Sequence, residues 1–183
     1  MRLRQLQLSW GPDLLLEHRA FPLRPTPVAG TPFKGTYREE GWRRCGQMSA
    51  GDGISFTPWP HDTMPGFSLP ALEAAKCAAK QGDEVFERVH RALYEAYFTR
   101  SLNIADPEVI ARLAGEAGAD LPRFEADRQA GFARAAVAAD YETAVSEHGV
   151  RAIPTVILPE SGRALVGLAD LAVYRAAIEE AAG

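Results

Sequence analysis

The chain has 183 residues, 46% of them hydrophobic and 24% charged, with a formal net charge of −4. That length supplies one good core or a domain carrying a large insertion, and the composition is that of a globular protein rather than a disordered one. The negative balance gives no electrostatic reason to expect nucleic acid or an anionic membrane as partner, and Arg43-Arg44 reads as a solvated helix face. No apolar run approaches the ~20 residues of a membrane span.

Met1 to Ser9 places apolar residues at Leu3, Leu6 and Leu8 with no start signal, so it reads as the last turns of a helix whose beginning lies upstream. It lacks the apolar core segment of a signal peptide. Gly11-Pro12 breaks the helix. Asp13 to Phe21 is apolar at first and alternates toward its end, which predicts a strand stopped by Pro22 and Pro25. From Leu23 to Gly41 the chain is rich in proline, glycine and threonine and reads as a long surface loop. A short helix is expected over Glu40 to Ala50, with Trp42, Cys45 and Met48 inward. Ile54 to Pro60 is extended and, with two prolines, excluded from a sheet interior.

The composition then shifts. Ser68 to Gly149 carries repeated helix start and stop signals and hardly a strand residue. Ser68-Leu69-Pro70 opens the first helix, whose inner face is almost all alanine. Phe86, Val89, Leu93 and Tyr97 stripe a second at three- and four-residue spacing. Asp106-Pro107 opens a third, and Asp120 with Pro122 a fourth. A fifth runs from about Ala130 to His148, with Phe132, Ala136, Ala139, Thr143 and Ala144 inward. Pro154 then precedes the β-branched and aliphatic run Thr155 to Leu158. A proline lacks the donor that a central strand needs, so it belongs at a strand's first residue or edge. Glu160-Ser161-Gly162 is a turn into a second strand, Arg163 to Leu168, making a hairpin. Asp170 caps a final helix with Leu171, Tyr174, Ile178 and Ala181 on one face.

The chemistry-bearing residues are sparse. Cys45 and Cys77 stand 32 positions apart, in no metal or redox spacing. Cys45 falls with Trp42 and Met48 and reads as a small buried hydrophobe; Cys77 falls with Glu73, Lys76 and Lys80 and reads as a surface thiol. The four histidines make no ligand pair with another histidine, cysteine or carboxylate at metal spacing, so no metal is expected. His61-Asp62 is read as a loop polar pair without function. No catalytic residue is assigned.

Taken together, Ser68-Leu69-Pro70-Ala71-Leu72-Glu73-Ala74-Ala75, Gln81-Gly82, Ala92-Leu93-Tyr94, Asn103-Ile104-Ala105-Asp106 and Gly149-Val150-Arg151-Ala152-Ile153-Pro154-Thr155 resemble the DsbA family, specifically its FrnE-like cytoplasmic branch. The resemblance implies an α/β thioredoxin fold with an inserted all-helical domain. Residues 1–62 and 149–183 would form the thioredoxin-like part and 63–148 the insertion. It implies a cis bond before Pro154, with the Ile153 and Pro154 backbone pairing with bound substrate. In the family a Cys-x-x-Cys motif at the first helix N-terminus performs thiol–disulfide exchange. That motif is absent here, and the first strand of the sheet is missing as well, so the chain is expected to be inactive as given. The natural protein is expected to begin ~20–30 residues upstream, or the gap to be filled from elsewhere. The expected partner is a thiol- or disulfide-bearing protein or small molecule in the cytoplasm, with no cofactor beyond glutathione as a ligand. A glutathione- or small-molecule-binding isomerase of the same fold is the alternative, and a non-catalytic interaction module the third reading.

Overall fold

The computed structural model describes residues Met1–Ala182. The chain divides into two compact units: Met1–Phe21 together with the segment from Glu142 onward, and Pro22–Tyr141.

The first unit holds α1 (Arg2–Trp10), a 3-10 turn at Gly11–Asp13, the strands β3 (Thr155–Leu158) and β4 (Arg163–Val166), and α8 (Leu171–Ala182). The hairpin is antiparallel, with Thr155 opposite Val166 and Leu158 opposite Arg163. Helix α1 packs against α8. Leu6 is its buried contact, and Arg2 donates to the Ala169 carbonyl at 2.7 Å and pairs with Asp170 at 3.3 Å. That places a cation on the residue preceding α8, while the Arg175 guanidinium lies over the Trp10 ring at 4.8 Å. The Tyr174 hydroxyl accepts from Ala169 N–H at 3.2 Å, fixing the chain that enters the helix.

The segment expected as a strand over Asp13–Phe21 is extended but belongs to neither sheet. Its burial alternates as a strand's would: Leu14, Leu16, His18 and Ala20 are more buried than Leu15, Glu17 and Arg19. The side-chain period was legible in the sequence; ladder pairing depends on a neighbour, and among the described residues β3 has only β4 beside it.

The second unit is helical: α2 (Tyr37–Met48), α3 (Leu69–Ala79), α4 (Asp83–Tyr94) continued by a π turn at Glu95–Thr99, α5 (Pro107–Glu116), α6 (Leu121–Gln129) and the start of α7 (Phe132–Ser146). The Asp106 and Asp120 carboxylates accept from the Glu108 and Arg123 N–H groups, satisfying donors that a helix start leaves open. Ser68 precedes α3 without capping it: its hydroxyl is bonded instead to the backbone of Arg24, at 3.0 and 3.1 Å. Ala71, Ala74, Cys77 and Ala78 of α3 form one core with Val89, Leu93, Ile110, Leu113 and Phe124. Their small side chains permit the close helix approach.

A second core is aromatic. Trp42 of α2 packs with Phe33, Phe56, Trp59, Tyr97 and Phe98, its ring centroid 5.3–5.8 Å from each. These contacts attach residues 22–62, expected to accompany the hairpin, to the π turn of the helical unit. The expected loop over Leu23–Gly41 is interrupted by the two-residue β1 (Thr31–Pro32), paired with β2 (Thr63–Met64), and by the first turn of α2.

Two inward faces differ from expectation. In α2 only Trp42 is buried, while Cys45 and Met48 are exposed. In α7 the buried residues are Ala133, Val137 and Asp140, and Phe132 is exposed. The expected face, Phe132, Ala136, Ala139, Thr143 and Ala144, leaves Asp140 outside the core, whereas in the structure Asp140 is buried. Lys76 of α3 pairs with that carboxylate at 2.6 Å, and a paired charge can be buried where a lone one cannot.

Candidate functional site

The loop between α7 and β3 is fixed at both ends and open in the middle. Gly149, three residues beyond the end of α7, sits at φ +62 in the left-handed region that glycine enters without penalty. Val150 follows, buried, its N–H donating to the Ala144 carbonyl at 2.8 Å. At the strand end, the Thr155 hydroxyl donates to the Ala152 carbonyl at 2.7 Å and Gly167 N–H donates to the Pro154 carbonyl at 2.7 Å. Arg151, Ala152, Ile153 and Pro154 lie exposed between these anchors. The Ile153–Pro154 peptide bond is cis. Ile153, an aliphatic residue, is 43% exposed, and neither its N–H nor its C=O bonds to another described residue.

An exposed apolar side chain beside an unpaired donor and acceptor, on a backbone held from both sides, can pair with an extended chain at little ordering cost. Arg151 adds a positive charge. Sequence reasoning reached Ile153 and Pro154 but missed the anchors. Gly167 and Ala152 act through backbone groups, which leave no side-chain signature.

The cysteines exchange the roles expected of them. Cys45 is exposed on α2. Cys77 is 0% exposed on α3, and burial, with the Asp127 carboxylate adding to it, pushes its thiol up to about 11. A thiol so held is protonated at neutral pH and is no nucleophile. Its neighbours Lys76 and Lys80 pointed to a polar face, but Lys76 extends to Asp140 and Lys80 to Asp127, leaving the short Cys77 inside. The two thiols stand on different helices and make no disulfide.

The histidines separate similarly. His61 lies edge-on to Trp59 at 5.9 Å, and the Asp62 carbonyl accepts from Phe33 N–H at 2.8 Å, so this pair closes the β1–β2 turn region. His90 stacks between Phe86 and Tyr94 along α4. Among the described residues no cluster of three metal-ligating side chains forms, and no helix is long and apolar enough to cross a membrane.

A helical unit, a hairpin led by a cis proline and a terminal helix define the class, and sequence comparison gives the family. A model of the DSBA-like thioredoxin domain matches residues 1–179, and the chain belongs to that family. Its fold is similar to that of a probable DsbA oxidoreductase from Streptomyces coelicolor, with a TM-score of 0.79 and 22% identity over 98% of this chain and 81% of that one. It is also similar to a protein disulfide isomerase candidate from Nitrosomonas europaea, with a TM-score of 0.75 and 16% identity over 98% of this chain and 87% of that one. No curated protein matches the sequence. The fold is therefore the thioredoxin fold with a helical insertion.

Proposed function

We propose that this chain binds thiol- or disulfide-bearing chains as a DsbA-like oxidoreductase does, through Ile153 and Pro154, without itself exchanging disulfides. The observation that carries the binding half is the exposed Ile153 backbone, anchored on either side and without a partner among the described residues. The family supplies the chemical class of ligand. Glutathione, an extended tripeptide thiol, is the smallest ligand of that kind, and it binds here as a ligand rather than a cofactor. The resemblance to the FrnE-like branch favours the cytoplasm, where thiols are kept reduced.

The absence of exchange rests on the thiols. Disulfide exchange needs an accessible thiolate near the bound sulfur and a second thiol to resolve the mixed disulfide. Cys77 is buried and protonated, and Cys45 stands on another helix. Binding is then non-covalent.

The test has two parts. Titration with oxidised glutathione should shift the backbone amide resonance of Ile153 and its neighbours, and Ile153→Asp should abolish the shift while leaving the melting temperature unchanged. Insulin reduction with dithiothreitol should proceed at the rate of the blank. Unperturbed amides at Arg151, Ala152, Ile153 and Thr155 would remove the binding claim; turnover lost in Cys45→Ser or Cys77→Ser would remove the claim of inertness.

A further inference from the structure

Within the helical unit, α4, the π turn and α5 line an open cleft of about 330 Å³ whose wall carries three arginines, Arg88, Arg91 and Arg100. The half-buried Ala92 and Ala117 supply its apolar surface, with the core residue Leu113 beneath them. The volume falls at the lower end of small-molecule sites.

The arginines are not equivalent. Arg88 is held in place, its Nε donating to the Ala117 carbonyl at 2.8 Å and its guanidinium 3.7 Å from Glu84. Arg91 and Arg100 are exposed, and neither side chain has an ion-pair or hydrogen-bond partner among the described residues. Two carboxylates also line the cleft. Glu116 is engaged by Arg112 at 3.9 Å, which leaves Glu95 to oppose two unneutralised guanidinium groups.

The backbone departs from regular helix at the same place. Arg100 N–H reaches back five residues to the Glu95 carbonyl at 3.0 Å, closing the π turn, and Leu102 N–H bonds the Ala96 carbonyl at 2.8 Å. Ser101 between them sits at φ +52, a left-handed position that usually belongs to glycine. π turns and left-handed non-glycine residues concentrate at functional sites, and here both flank the residue whose charge is unmatched.

We propose that this cleft binds a carboxylate carried on a short aliphatic body. The guanidinium forks of Arg91 and Arg100 match the planar carboxylate, and Ala92 and Ala117 take the hydrocarbon. Glu95 offsets one of the two positive charges, so the cleft carries a net charge that one carboxylate neutralises. The site lies wholly within the helical unit and needs no covalent step.

Hexanoate is a suitable probe, followed by backbone amide shifts on the whole chain. It should give a saturable response centred on Ala92, Leu113 and Ala117. Arg91→Ala and Arg100→Ala alter exposed side chains, and the double variant should bind at least about tenfold more weakly with an unchanged melting temperature, as expected for the loss of charge-assisted hydrogen bonds. Hexylamine and hexanol should give no saturable response. The proposal is overturned if hexanoate does not saturate, if its shifts map elsewhere, if the double variant binds it as well as the wild type, or if inorganic phosphate produces the same shifts with the same affinity.

Discussion

Cys77 is the residue whose environment departs furthest from its sequence context. It is flanked by Lys76 and Lys80, yet it lies wholly inside the α3 core with its thiol pushed up to about 11. A thiol reagent such as Ellman's should therefore titrate one cysteine per native chain, Cys45, and both only after denaturation. Rapid labelling of both in the native state would contradict the burial. A pH dependence follows as well. The unfolded thiol ionises near its ordinary value of 9.0, whereas the folded one holds its proton up to about 11. Between those values the unfolded state binds fewer protons, so this contribution to stability is complete below about pH 9 and falls as pH rises through the window. The total is about 3 kcal/mol. Cys77→Ala should lose stability less steeply than wild type across that range in urea melts; parallel slopes would mean that the thiol titrates normally.

Among the elements, α7 meets α3 through charge as well as apolar contact. Asp140, 4% exposed, meets Lys76 at 2.6 Å, and Glu73 meets Arg134 at 2.7 Å. Removing Lys76 takes away a charge that compensates the desolvation of the Asp140 carboxylate. Lys76→Met should lower unfolding free energy by about 3 kcal/mol in urea denaturation. Adding Asp140→Leu should return part of that loss. A change below about 0.5 kcal/mol would show that solvent reaches the carboxylate. The segment entering α3 is constrained by backbone instead. A Cβ at Gly66 would lie 2.9 Å from the Val28 carbonyl oxygen and 3.0 Å from that of Ala29, neither of which can rotate away. Gly66→Ala should cost about 1–3 kcal/mol by overpacking, with a lower melting temperature as the readout.

Across the whole molecule, stability should be uneven. The largest continuous core belongs to α3–α7, whereas β3 and β4 pair only with each other among the described residues. A two-stranded hairpin has little stability of its own. Native-state hydrogen exchange should therefore be slowest at Ala78, Val89 and Leu113 and markedly faster at Val156 and Ile157. Equal protection of the two groups would show that the hairpin opens only with the whole chain.

The sequence by itself determined the helical block, the hairpin and the proline that leads it, because proline and glycine punctuation, aspartate caps and apolar period all act within a few residues. Asp106 and Asp120 begin their helices where that chemistry requires. Pro154 at the head of a β-branched run was legible as a strand start, whereas the cis bond before it and a binding role for Ile153 and Pro154 came only from the resemblance to the family. Only the tertiary structure decided what each face meets. Asp140 is buried because Lys76 reaches it, Cys77 because the lysines beside it extend away, and residues 22–62 join the helical unit because Trp42 finds Tyr97 and Phe98. The Asp13–Phe21 segment keeps a strand's alternation without a strand's ladder. Each of these depends on a partner distant in the chain, and side-chain periodicity carries no information about that partner.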